Sequence, residues 1–114
     1  MSENNATQTK QTTPNPDLKK FEKLIGTWKV TGELQGTNTF EWTEGGFFLI
    51  QRFDFEKDGH PIKGIEIIGH EKGITGEQSE EIKTRVYSFM DGMTLNYVYE
   101  MDDEGHRFDC FLGL

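Results

Sequence analysis

The pattern of hydrophobic and polar positions changes character near residue 17. Residues 1–16 contain only two apolar side chains, Met1 and Ala6, amid Asn, Gln, Thr and Pro. Because so little apolar surface cannot offset the entropy lost on ordering, we predict a disordered polar tail. Residues 17–114 carry regular hydrophobic periods and are predicted to form one domain, since smaller pieces could not bury separate cores.

A short helix is predicted at the start of this domain. Asp17 follows Pro16 and is suited to cap the helix, and the apolar positions from Leu18 to Ile25 recur at helical spacing. Gly26 ends this pattern. Beyond it the period changes from near 3.6 to 2, so the rest of the chain is predicted to consist of strands and turns.

Seven strands are predicted from this alternation, and Asp91-Gly92 is the clearest hairpin turn. Sequential strands with short connections favour an all-β antiparallel meander that curls into an up-and-down barrel, since closure removes exposed edges. A helix-grip fold is the rival architecture, but it needs a long C-terminal helix and the pattern contains none. The predicted strands are 27–34, 39–43, 47–55, 62–69, 82–90, 93–101 and 106–112.

Composition narrows the partners and the compartment. A formal net charge of −8 would repel nucleic acid and anionic membrane surfaces, so neither is expected as a partner. Cys110 is the only cysteine, which excludes an intramolecular disulfide and a cysteine-based zinc cluster. No apolar leader is found, and no apolar run approaches the ~18 residues that span a membrane. We therefore predict a cytoplasmic protein.

Several segments resemble a known family. The stretch 21–28 ends in Gly-x-Trp and resembles the opening of lipocalins and their calycin relatives. Segments 40–52 and 64–69 look like a family of bacterial calycin-like proteins of unknown function, distantly similar to nitrobindins, and the similarity spans nearly all of 18–101. The resemblance implies a lipocalin-like (calycin) β-barrel whose N-terminal helix plugs one end, with the Trp28 indole packed beneath it.

The last strands of that family have no counterpart in this chain. Seven strands fall short of the eight that make about the smallest barrel with room for a ligand, so we expect an incomplete barrel. Either the chain is shorter than the whole domain, or a second copy completes the pairing as a homodimer through open strand edges. Haem is suggested by the nitrobindin analogy alone, because the iron-binding His there lies in the missing region, and no other cofactor is evident.

Gln51 and Arg52 are the first candidates for ligand binding. Gln51 shares a strand face with Phe and Leu, so its amide needs a partner, either a ligand or a neighbouring strand. Arg52 points the other way by strand parity, and we expect it to pair with a surface carboxylate such as Glu41 or Glu66 unless a bulge reverses the parity.

Three aromatic side chains complete the candidate set. Tyr97 and Tyr99 share a face with apolar residues, and their hydroxyls could address a polar group of a ligand. Trp42 could stack on a planar ligand. For all three the alternative is packing in the core, and packing is the more favoured interpretation.

Metal and catalytic patterns are absent from the sequence. His60 and His70 bracket the fourth strand, and ten residues of strand span ~33 Å, too far to share one metal ion. His70 and His106 are expected to be solvated turn residues. The chain has no Gly-x-Ser-x-Gly elbow, no P-loop and no dinucleotide fingerprint.

The leading hypothesis is non-enzymatic binding of a small, partly hydrophobic ligand in the barrel interior, oriented by Gln51, Tyr97 or Tyr99. Two alternatives stay open. One is an enzyme that acts on a small molecule in the same cavity through Tyr and Arg groups. The other is an interaction module that assembles through its strand edges.

Overall fold

The computed structural model describes residues 13–101 and 107–111, with side chains described for 13–98. The described chain is mostly β, with one short helix. The predicted tail falls largely outside the described residues. The elements are the N-terminal helix Pro16–Leu24, β1 Gly26–Val30, β2 Gln35–Trp42, β3 Phe48–Lys57, β4 His60–Gly69, β5 Lys83–Ser88, β6 Thr94–Met101 and β7 Arg107–Phe111.

The strands form one antiparallel sheet in the order of the sequence, β1 to β7. This order confirms the predicted meander. β1 and β7 are the two edges, and within the described residues no pairing joins them into a closed barrel. The sheet is therefore described as open.

The N-terminal helix has 3₁₀ geometry, and its cap lies two residues before the predicted one. The Asn15 side chain caps it by accepting a hydrogen bond from the Asp17 amide at 3.0 Å, so the prediction that Asp17 is the cap was wrong. The reason is Pro16, which has no N–H and a fixed φ that suits the first helical position, so the cap must precede it. The Asp17 carboxylate is thereby left to contact another element.

The first connection also differs from the prediction. β1 ends at Val30, because Gly32 adopts a φ of 115° and bends the chain. The predicted continuation of the strand to Leu34 was therefore wrong, and the turn expected at 36–38 lies within β2 instead.

Alternation along the strands gives the sheet an inner face, which we define as the face that carries Leu49 and Ile68. The N-terminal helix packs against one end of this face, where Phe21 is fully buried. The expected packing of the Trp28 indole beneath the helix was wrong. Trp28 is 47% exposed, and its Nε1 donates to the Leu24 carbonyl at 2.8 Å at the end of the helix. The core cluster consists of Leu18, Phe21, Phe40, Leu49, Ile68 and Ile82.

Candidate functional site

Five polar side chains form a continuous row across the inner face, one from each of strands β2 to β6. Gln51 lies directly opposite Glu66 in the β3–β4 register, and Thr84 lies directly opposite Tyr97 in the β5–β6 register. The other steps are diagonal, since positions two residues from a direct partner are still neighbours on one face. We call this row the polar belt: Asn38, Gln51, Glu66, Thr84 and Tyr97.

Two hydrogen bonds link members of the belt. Gln51 Nε2 donates to Asn38 Oδ1 at 2.8 Å, and the Tyr97 hydroxyl donates to the Glu66 carboxylate. Gln51 is 6% exposed, Glu66 is 3% exposed and Thr84 is 1% exposed. The belt therefore places one carboxyl group and several neutral oxygen atoms away from bulk solvent.

Two oxygen atoms of the belt are buried without a hydrogen-bond partner in the described part of the chain. They are Gln51 Oε1 and Thr84 Oγ1. Most buried polar side-chain atoms in proteins are bonded, and an unsatisfied one costs roughly 1–3 kcal/mol. These two atoms are therefore the feature of the inner face that most requires an explanation.

The belt divides the inner face into two ends. At the closed end, next to the helix, Leu49 and Ile68 are fully buried beneath Phe21. At the open end, Phe53 and Phe55 stack with ring centroids 5.9 Å apart and an interplanar angle of 21°. Large apolar side chains are exposed around the open end, including Trp28, Ile62, Phe89, Met90 and Met93.

Gly64 shapes the open end. A Cβ atom at this position would lie 2.3 Å from the Tyr87 carbonyl oxygen and 2.6 Å from Phe53 Cζ. The absence of a side chain therefore lets the Phe53 ring lie over β4, directly opposite Gly64 in the register.

The structure separates the sequence-predicted site residues. Gln51 and Tyr97 belong to the polar belt, whereas Trp42 packs against the core beside the helix and lines an external groove of about 530 Å³. Arg52 is exposed on the opposite face and pairs with Glu41 at 3.4 Å, one of the two partners expected for it. The Tyr99 side chain lies outside the described residues. Arg52 and Tyr97 therefore do not meet in one site.

Glu66 and Thr84 are members of the belt that the sequence did not single out. Glu66 was expected among the surface carboxylates, and that expectation was wrong because it is buried on the inner face. The parity of β4 is hard to assign from sequence, since Ile65 and Ile67 alternate with Glu66 and Ile68 and make both faces apolar. Glu66 is assigned to the inner face because it lies directly opposite Gln51, which is on that face.

His70 occupies a second polar cluster at the closed end. It was expected to be a solvated turn residue, but it is only 5% exposed. Its Nε2 lies 2.9 Å from Asp17 Oδ1, and its Nδ1 lies 2.8 Å from the Ser79 carbonyl oxygen. His70 therefore ties the N-terminal helix to the loop between β4 and β5.

An ion pair on the opposite side of the sheet fastens the same loop. Arg85 donates from Nε to Glu71 at 2.6 Å and from a terminal nitrogen at 3.2 Å. The hydrogen bond from Arg85 is the main reason that the pKa of Glu71 lies below its usual value. In the described ranges no group of three or more His, Cys, Asp or Glu side chains is arranged to hold a metal ion.

The fold and the site define a class of protein: a mostly β chain with an open antiparallel meander, a helix on one end of its inner face and a buried polar belt across the middle. No helix of the described residues is long and apolar enough to cross a membrane. No family model matches the chain, and no curated protein is found to be its relative.

Proposed function

We propose that the protein binds a small, partly apolar molecule on the inner face of its sheet, with the polar group of the ligand at the polar belt. The observation that carries this proposal is the pair of buried, unpartnered oxygen atoms, Gln51 Oε1 and Thr84 Oγ1. A ligand group that donates a hydrogen bond would satisfy either atom.

Two unsatisfied buried oxygens cost roughly 2–6 kcal/mol together, which is a large part of the ~5–15 kcal/mol by which a domain is stable. Apolar side chains of the same shape would avoid that cost. Violations of this kind concentrate at functional sites, because there the missing partner is the ligand.

The apolar part of the ligand is assigned to the open end. The stacked Phe53 and Phe55 rings lie at the next inner positions of β3 beyond Gln51. Trp28 lies opposite Asn38 in the β1–β2 register and is 47% exposed. Aromatic walls beside a few convergent polar groups are typical of small-molecule sites.

We also propose that the sheet is part of a lipocalin-like barrel. The consecutive antiparallel order and the helix on one end of the inner face support this assignment. A barrel would enclose the polar belt on all sides, as a binding cavity requires.

The test compares Thr84→Val with Thr39→Val. Valine has nearly the shape of threonine, so Thr84→Val removes the buried hydroxyl alone, while Thr39→Val removes a hydroxyl that bonds Thr27 at 3.2 Å on the other face. In the ligand-free protein we expect Thr84→Val to leave the free energy of unfolding unchanged or to raise it by about 1 kcal/mol. Binding of the fluorescent aromatic amine N-phenyl-1-naphthylamine should weaken several-fold in Thr84→Val only. A loss of stability in Thr84→Val, with dye binding unchanged, would contradict the proposal.

A further inference from the structure

We infer a second binding site, for a small aromatic carboxylate, in a cavity at the end of the sheet where β3 begins and β4 ends. The cavity has a volume of about 350 Å³, which lies within the range of small-molecule sites. Among the described residues no member of the polar belt lines it, so this site is independent of the function proposed above. Its lining consists of Phe47, Phe48, His70, Lys72 and Gln78.

Two phenylalanine rings form the apolar wall of the cavity. Phe47 and Phe48 are both half-buried, and Phe48 lies directly opposite Gly69 in the β3–β4 register. A Cβ atom at Gly69 would lie 2.5 Å from Phe48 Cδ1 and 2.7 Å from the Phe47 carbonyl oxygen. The absence of a side chain at Gly69 therefore lets the Phe48 ring lie over β4. A flat aromatic body is the kind of ligand that such rings pack against best.

The opposite wall is a hairpin formed by residues 71–79. Lys72 and Gln78 are direct partners in an antiparallel bridge, so their side chains lie side by side on one face of the hairpin. Next to this bridge the Ser79 N–H donates to the Glu71 carbonyl at 2.8 Å. Because the hairpin is closed by these contacts, Lys72 and Gln78 are positioned before a ligand arrives, which lowers the entropic cost of binding.

The side chains at this wall are suited to donate hydrogen bonds. The Lys72 ammonium group has three N–H donors, and the Gln78 amide has two. Both side chains are exposed, and in the described part of the chain neither forms an ion pair or a hydrogen bond. His70 closes the cavity but has contacts at both ring nitrogens, so it is not needed as a donor. A ligand group with two acceptor oxygens therefore fits between Lys72 and Gln78.

The charge of the lining selects a carboxylate among such groups. Lys72 brings a positive charge, and within the described residues no carboxylate lines the cavity. Glu71, the neighbour of Lys72 in the chain, is already paired with Arg85 at 2.6 Å. Charge-assisted hydrogen bonds from an ammonium group to a carboxylate are stronger than those to a neutral amide. A neutral amide could use the same donors, but it would gain nothing from the charge of Lys72.

The experiment is titration of the full chain at pH 7 with three probes of the same shape, followed by two-dimensional amide NMR. Benzoate is anionic, benzamide is neutral and benzamidine is cationic. We expect benzoate to bind about fivefold more tightly than benzamide, which is the size of an exposed ion pair, and benzamidine not to bind. The amide signals of Phe48, Lys72 and Gln78 should shift with benzoate.

Two lysine variants with the same change of charge locate the origin of this preference. Lys72→Gln should bring the affinities for benzoate and benzamide to within about twofold of each other. Lys57→Gln removes an exposed lysine at the far end of β3 and should preserve the preference. Gln78→Glu places a carboxylate directly opposite Lys72 and should lower the benzoate affinity at least to that of benzamide.

The remaining outcomes would overturn the inference. They are equal affinity for benzoate and benzamide, a benzoate preference that survives Lys72→Gln, or the absence of benzoate binding. Thr84→Val separates this site from the inner face, since Thr84 does not line the cavity and its substitution should leave benzoate binding unchanged. Benzoate binding that is weakened by Thr84→Val and not by Lys72→Gln would place the probe at the polar belt, which would overturn this inference and support the proposed function.

Discussion

The two ends of the inner face are built differently although the same strands run through both. At the closed end, Phe21 of the helix covers Leu49 and Ile68, and all three are fully buried. At the open end, Phe53 and Phe55 pack on each other while Trp28 remains 47% exposed. The polar belt lies between a well-packed end and a partly solvated one. Apolar packing therefore stabilises mainly the closed end of this face, and binding of the partly apolar ligand is proposed for its open end.

The largest effect is expected where the closed end is most tightly packed. Phe21→Ala removes a fully buried ring and leaves a cavity, so we expect the free energy of unfolding to fall by about 3–5 kcal/mol. Urea unfolding followed by circular dichroism measures this loss.

The matched change at the open end is Phe53→Ala. This ring is only partly buried, and less apolar area is lost when it is removed, so we expect less than half the effect of Phe21→Ala. Equal losses from the two substitutions would remove the distinction between the ends.

The contact of His70 with Asp17 is the next largest expected contribution at the closed end. Hydrogen bonds to charged groups contribute about 1.5–3 kcal/mol, so Asp17→Asn and His70→Gln should each destabilise the protein by an amount in this range. Because both substitutions remove the same contact, the double variant should lose less than the sum of the two. Strictly additive losses in urea unfolding would show that this contact does not hold the helix.

The third prediction concerns Gly64 at the open end, whose backbone lies close to the backbone of Tyr87. Gly64→Ala would place a Cβ atom 2.3 Å from the Tyr87 carbonyl oxygen, which belongs to the backbone and cannot rotate away. We expect a loss of about 1–3 kcal/mol, together with a displaced Phe53 ring and weaker binding of naphthyl probes.

Gly73→Ala is the matched control for this change. A Cβ atom at Gly73 would meet only Thr75 Oγ1, at 4.0 Å, so its thermal midpoint should stay close to that of the parent. If Gly64→Ala is as stable as Gly73→Ala, the backbone at the open end shifts at little cost to make room for the added methyl group.

Much of the fold follows from the sequence because the two-residue alternation is strong. The meander, the approximate strand positions and the short helix were predicted. The helix cap was misplaced because Pro16 shifts the start of the helix, and β1 was extended too far because the bend at Gly32 depends on its φ.

The candidate site was predicted only in part. Gln51 stood out because it is the polar residue on an apolar strand face. Glu66 did not, because Ile65 and Ile67 make the other face of β4 equally apolar, and only the register with Gln51 assigns its side. His70 was misassigned because its partner Asp17 is 53 residues away in the chain, and no local pattern reports such a contact.

The smallest expected effects concern exposed ion pairs, and the first of these fastens the loop of the closed end. Arg85→Gln should lower the free energy of unfolding at pH 7 by less than about 1 kcal/mol, since both side chains are substantially exposed and water screens the pair.

The stabilisation by this pair should depend on pH. The hydrogen bond from Arg85 lowers the pKa of Glu71 in the folded state. The stabilisation is therefore fully present above the ordinary pKa of Glu, 4.5, and is lost as the pH falls below it toward the lowered value. The difference between parent and Arg85→Gln in urea unfolding should therefore shrink as the pH is lowered below 4.5. At the open end Lys63 approaches Asp54 only to 3.7 Å, and Lys63→Gln should have a smaller effect at pH 7. A larger effect from Lys63→Gln would mean that surface charge does not distinguish the two ends, and that their difference lies in apolar packing alone.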